Sequence, residues 1–270
     1  MNKNAVGVFD SGLGGLCAVR EILKILPGED IIYFGDTGRV PYGNKSYETI
    51  KKYGRQSVNF MLSKSVKIIL AACGTVSSVA LDDLRAEYAG VPVFGVIESA
   101  CEKAVKLAGI TGNKKIGVIG TQATISRGAF GHYINKLDNS CEVYGQACPL
   151  FVPLVENGHI NDEITRLAAE KYLHDLKNLN LSSLILGCTH YPMIKNIISE
   201  VIETELIDAG AEAAYKLKHE ILEKNLLNNS GNGSLEIFIS DEGMKFSEIA
   251  SGFLGFDAKA SIFKLDIENY

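Results

Sequence analysis

The chain has 270 residues, 46% of them hydrophobic and 22% charged, with a formal net charge of −5, enough to bury one large or two small cores and unlike a disordered, collagenous or low-complexity chain. Lys and Arg are scattered over this mildly acidic background and give no footprint for a phosphate backbone or an anionic membrane, which argues against nucleic acid as a primary partner. The longest apolar run, residues 68–73, has strand length where a membrane helix needs about 20 residues; with Met1 to Asn4 leading straight into Val6, a cytoplasmic protein with six reduced cysteines is expected.

Residues 6–9 read as a buried strand, followed by a glycine-rich turn and a helix over 16–26. Strands at 30–34, 66–71 and 91–97 alternate with helices at 47–64 and 99–108. The alternation resumes with strands at 115–119, 143–147 and 181–186 and helices at 162–178 and 191–204. It predicts an α/β fold with parallel sheets, whose ligands collect at the carboxyl ends of the strands. After a helix over 209–227, residues 228–234 form a polar, glycine-rich connector. A strand at 235–240, a helix at 244–254 and a strand at 260–266 then extend a sheet.

A weak internal repeat runs through this pattern. Segments 6–12, 70–75 and 94–100 are echoed by 116–121, 184–189 and 205–210, and Asp10 to Cys73 spans 63 residues where Gly120 to Cys188 spans 68. Either βαβ units resemble one another by chance, or two similar α/β halves each place a strand-end cysteine before a hydroxyl residue, facing the other across a cleft.

Cys73 and Cys188 both stand where a strand gives way to a helix, where backbone N–H groups and the helix dipole favour the thiolate. Cys17, Cys101, Cys141 and Cys148 read as packing residues. A facing pair could form a redox disulfide, but the Cys-x-x-Cys spacing is absent. It could bind a metal, yet Cys188-Thr189-His190 offers two soft ligands and no second pair completes a tetrahedral set. It could also perform two-base proton transfer, in which one thiolate removes an α-proton and the opposing thiol protonates the other face, inverting a stereocentre. That chemistry needs opposite protonation states and a proton partner for each thiol. Asp10, otherwise a helix cap, suits Cys73, and His190 suits Cys188. The loop over 10–15 lacks the dinucleotide fingerprint and a phosphate-binding Lys, and instead suits a small carboxylate. With Ser11, Thr75, Thr121 and Thr189 as hydroxyl donors, the site fits a small, doubly charged amino acid.

At these residues the sequence resembles the glutamate racemases of the cofactor-independent aspartate/glutamate racemase superfamily. The likeness is carried by Phe9-Asp10-Ser11-Gly12-Leu13-Gly14-Gly15, by residues 33–43 ending in Val40-Pro41-Tyr42-Gly43, by residues 149–156, and by Leu186-Gly187-Cys188-Thr189-His190-Tyr191-Pro192. The resemblance implies two Rossmann-like domains with parallel sheets and the active site in the cleft between them. One domain would comprise residues 1–97 and 209–270, the other residues 98–208. It implies interconversion of L- and D-glutamate without PLP or metal, supplying D-glutamate for peptidoglycan, in a fold family where homodimers are common. Cys73 and Cys188 match the catalytic thiols, Asp10, Glu156 and His190 the groups that assist them. Substrate contacts map to Asp10, Ser11, Pro41, Tyr42, Gly43, Gly74, Thr75, Thr121, Thr189 and His190.

Three positions depart from the pattern. Gly74 stands where the family has asparagine, Ser99 where it has proline and Gly38 where it has alanine. Loss of the asparagine amide removes a hydrogen bond to charged substrate worth about 1.5–3 kcal/mol and frees volume. It leaves open a racemase for another small amino acid such as aspartate, or a catalytically impaired ligand-binding homologue.

Overall fold

Strands bounded by strand-end turns and buried on both faces build the frame. The computed structural model describes residues 4–228, 231–243, 246–257 and 262–270. Its first part gives β1 (Val6–Asp10), α1 (Leu16–Ile25), β2 (Ile31–Gly35), α2 (Tyr47–Ser63), β3 (Ile68–Ala71), α3 (Gly74–Val79), α4 (Leu81–Glu87), β4 (Val93–Gly95) and α5 (Ile97–Thr111). There follow β5 (Lys115–Gly120), α6 (Gln122–Arg127), α7 (Ala129–Leu137), β6 (Glu142–Ala147), α8 (Phe151–Glu156), α9 (Glu163–Leu173), β7 (Ser183–Leu186), α10 (Lys195–Val201) and β8 (Glu205–Asp208). The chain closes with α11 (Ala209–Glu223), β9 (Leu235–Ile239), α12 (Phe246–Leu254) and β10 (Ile262–Lys264).

Two parallel sheets result, in the orders β10-β9-β2-β1-β3-β4 and β6-β5-β7-β8. In each, the strand that opens the unit lies inside the sheet: β1 pairs with β2 and β3, and β5 with β6 and β7. The central strands are buried along their length, as continuous apolar runs covered by helices on both faces require. The expected two-domain α/β architecture is therefore present, and the carboxyl ends of β1, β2, β3, β5 and β7 carry the residues singled out above.

Several elements differ from expectation. α3 and α4 are short and were not foreseen, because Gly74-Thr75-Val76-Ser77-Ser78-Val79 is buried on all sides and shows no 3.6-residue pattern. The helix expected over 191–204 opens as a 3-10 turn at Tyr191–Ile194 with Pro192 in its first positions, and only then becomes α10. β8 occupies a segment noted only as part of the repeat. Ser99 sits in the first turn of α5, which begins at Ile97 without proline, and its Oγ is buried with no hydrogen-bond partner. Parts of the expected 228–234 connector, 244–254 helix and 260–266 strand lie outside the described residues. No described helix is long and apolar enough to cross a membrane, and all six cysteines are free and buried.

Candidate active site

The turn after β1 is organised by the Asp10 carboxylate. Its Oδ2 accepts hydrogen bonds from Gly12 N at 3.2 Å and Gly15 N at 3.0 Å. This is the cap expected of an acid there, yet it uses one oxygen only. Oδ1 is buried without a hydrogen-bond partner. Gly14 lets the turn approach the strand end of the other sheet, since a Cβ there would overlap Thr189 Oγ1 and lie 2.6 Å from His190 Nδ1.

β3 delivers Cys73 to the start of α3, with its Sγ 3.5 Å from Ser11 Oγ. Burial, reinforced by the Asp10 charge, pushes the thiol up to about 12. The expected pull of the strand-end N–H groups toward the thiolate is present at Cys73, through Val76 N, but is outweighed. α3 has only six residues, and desolvation of the sulfur outweighs its N–H groups.

β7 delivers Cys188 and His190 from the second sheet. His190 is buried, its Nε2 3.0 Å from Glu156 Oε1 at the end of α8. Burial alone disfavours the charged ring, but the neighbouring Cys188 and Glu156 prevail and raise its pKa to about 10, while its Nδ1 is buried with no hydrogen-bond partner. Phe253 of α12 meets the ring edge-on at 5.5 Å between centroids. Sequence reasoning missed this contact, which a residue 63 positions away makes only after folding.

The two cysteines line one cavity of about 30 Å³, together with Ser11, Pro41, Tyr42, Gly43, Gly74, Thr75, Thr121, Glu156, Thr189 and His190. Of the expected site residues, Asp10 alone is off the lining, buried where its charge acts on Cys73. Val40, Val152 and Gly187 line it as well and were not foreseen. The space suits one or two waters and is smaller than an amino acid. A second cavity of about 190 Å³ shares Pro41, Gly43, Thr121, Val152 and Glu156 and continues to Cys148 and Pro149.

Three contacts hold the two sheets together around this cavity. Thr75 Oγ1 and Thr121 Oγ1 are 3.0 Å apart, and Thr121 also caps α6 through Thr124 N. Gly43 packs on Thr121, where a Cβ would come within 2.8 Å of the Thr121 Cβ. A Cβ on Gly74 would overlap the Gly187 carbonyl oxygen and sit 3.1 Å from its carbon. The volume that replacing asparagine by Gly74 was expected to free is therefore filled by backbone from the opposite strand end.

The loop after β2 is fixed by Asp36, a strand-end acid that the carboxyl-end rule could have flagged. Tyr42 Oη donates to its Oδ2, as does Arg39 Nε at 2.7 Å, while Ser240 Oγ donates to Oδ1 at 2.7 Å. Among the described residues, no three His, Cys, Asp or Glu side chains gather so as to hold a metal ion.

Residues 18–217 match the Asp/Glu/hydantoin racemase family. Over its whole length the chain is 41% identical to a glutamate racemase of Thermoanaerobacter pseudethanolicus, which it covers completely. It superposes on the glutamate racemase of Francisella tularensis, solved in complex with D-glutamate, with a TM-score of 0.94 at 36% identity and full coverage of both chains. For the Thermus thermophilus glutamate racemase, solved with β-chloro-D-alanine, the TM-score is 0.89 at 37% identity, over 100% of this chain and 99% of that one.

Proposed function

The chain belongs to the Asp/Glu/hydantoin racemase family, among its glutamate racemases, and from that premise we propose how its own residues interconvert L- and D-glutamate without PLP. The observation that carries the reading is that two buried cysteines, one from each sheet, line a single cavity with unlike partners. Cys73, beside Asp10, holds its proton. Cys188 faces a His190 kept cationic with the help of Glu156. Two-base inversion needs this asymmetry.

In one direction a thiolate takes the α-proton, so that an S–H bond forms as the Cα–H bond breaks, and the electron pair spreads into the α-carboxylate. The opposing thiol then gives its proton to the other face of the same carbon. The two sulfurs finish with exchanged protonation states, and the reverse reaction uses them in reverse order. Asp10 Oδ1 and the Glu156–His190 pair are the proton partners that let each side reset. Ser11, Thr75, Thr121 and Thr189 supply hydroxyls for the substrate's charged groups, while Pro41, Tyr42 and Gly43 wall the other side. The adjoining cavity beside Val152 supports an approach from that direction.

The strand order supports a division into residues 1–97 with 209–270 and residues 98–208, since one sheet is contiguous in sequence and the other is completed by the chain's last strands. The occupant is a small amino acid, with D-glutamate made for peptidoglycan in the cytoplasm; a homodimer is compatible with this reading, and neither nucleic acid nor membrane takes part.

Each enantiomer of glutamate and of aspartate, incubated in D₂O without added PLP or metal, tests the proposal by circular dichroism and by deuterium at Cα. Both glutamate enantiomers are expected to lose optical activity and gain deuterium. Exchange of aspartate alone would favour the other acidic substrate, and exchange of none would end the racemase reading.

A further inference from the structure

The substrate-side loop is gripped from the far end of the chain. Glu268, in a 3-10 turn at Ile267–Asn269, accepts hydrogen bonds from Arg39 Nη1 at 2.9 Å, Gln56 Nε2 at 3.3 Å and Lys52 Nζ at 3.4 Å. The turn is seated: Ile267 is buried, its carbonyl accepts from Gln56 Nε2 at 3.4 Å, and the Tyr270 ring meets Phe60 edge-on at 5.3 Å. Donation from Gln56, ahead of the attraction of Lys52 and Arg39, keeps the Glu268 carboxyl below its ordinary range and hence charged at neutral pH.

Arg39 relays this grip. Its guanidinium lies over the Tyr53 ring at 3.9 Å and donates to Gln56 Oε1 at 2.6 Å. On its other side it bonds the Asp36 oxygen that also receives the Tyr42 hydroxyl. Tyr42 packs on Tyr53 at 5.2 Å and lines the cavity between the cysteines. A guanidinium is a rigid planar fork, so fixing it from the Glu268 side fixes the direction in which it holds Asp36.

We propose that Glu268 is a positioning residue for the substrate site, holding the loop over residues 39–43 in its binding geometry through Arg39 and Asp36. What the loop binds rests on the racemase reading above; the mechanical link does not. The Glu268 side chain is 55% exposed, and ion pairs of that kind add little to global stability. Its removal therefore acts on affinity rather than on folding or on the proton-transfer step, which the cysteines perform without touching Glu268.

The test is Glu268→Ala and Glu268→Gln in the full chain, beside Arg39→Gln and the double variant Arg39→Gln/Glu268→Ala. The glutamate KM is expected to rise about two- to fivefold with kcat within twofold. Amide hydrogen exchange over residues 39–44 should quicken, and the double variant should be no worse than Arg39→Gln alone. An unchanged or lowered KM with unchanged exchange overturns the proposal. So does a fall in kcat at constant KM, additivity in the double variant, or failure of both Glu268 variants to fold, which would make the tail merely structural. If the unaltered chain does not racemise glutamate, the proposed function fails, while exchange over 39–44 still decides whether Glu268 sets the loop.

Discussion

The carbonyl oxygen of Gly187 occupies the position that a Cβ on Gly74 would take. The ends of β3 and β7 thus meet backbone to backbone next to the two cysteines, and any side chain at 74 must push them apart. Overpacking of this kind costs about 1–3 kcal/mol. Gly74→Ala is expected to lower kcat/KM roughly tenfold, 1.4 kcal/mol being tenfold, and to speed iodoacetamide alkylation of Cys73. Gly74→Asn is expected to impair this chain rather than improve it, although the family resemblance leads one to expect asparagine there. Wild-type activity and alkylation rates in Gly74→Ala would show that the contact does not set the spacing of the two strand ends.

Cys73→Ala and Cys188→Ala should each abolish racemisation while leaving a folded chain. Both side chains are small and buried, so a change of about 1 kcal/mol in stability is expected, visible as a few degrees in melting temperature. Solvent deuterium uptake from both enantiomers measures the outcome, and near-normal turnover in either variant would remove the two-base scheme.

His190 makes stability fall with pH. Its folded pKa of about 10 lies above the ordinary 6.5, so the folded state holds the proton more tightly between those values. The stabilisation is complete below pH 6.5 and is lost as pH rises through 10. Cys73, raised from 9.0 to about 12, carries the same sign into the window above pH 9. Melting temperature measured from pH 6 to 10 should decline more steeply in the native chain than in His190→Asn, and Glu156→Gln should lie between them. Parallel curves would contradict the Cys188–His190–Glu156 assignment.

Asp10 separates into two jobs, one per oxygen. Asp10→Asn keeps an acceptor for Gly12 N and Gly15 N and should retain its melting temperature while kcat falls. Asp10→Ala loses the cap as well, costing about 1 kcal/mol more, or roughly 2–4 °C. Equal melting temperatures for the two variants would show that the cap contributes nothing measurable.

The strand-end rule made much of this site legible in sequence, because a parallel sheet carries Asp10, Cys73, Thr121, Cys188 and His190 to one edge whatever the details of packing. What stayed hidden depends on distance along the chain or on burial. Asp36 is completed by Ser240 and Arg39 by Glu268, partners some 200 residues away that no local pattern links. The short helices α3, α6 and α8 leave little periodicity, and the raised Cys73 pKa follows from desolvation, which spacing does not encode. The Gly74 substitution read as lost bulk because the Gly187 backbone that fills it belongs to the other sheet.

The order of strands also dictates an order of assembly during synthesis. β5 to β8 are all available once residue 208 has emerged, whereas β2 gains its neighbour β9 only after residue 235. Until then β2 is an open edge, a template for wrong pairing. A nascent chain that has emerged as far as residue 225 would thus carry both thiols and a finished second sheet, yet lack Ser240 against Asp36 and Glu268 against Arg39. The cysteines are made early, and the loop that carries Tyr42 gains its last two anchors only when residues 240 and 268 leave the exit tunnel.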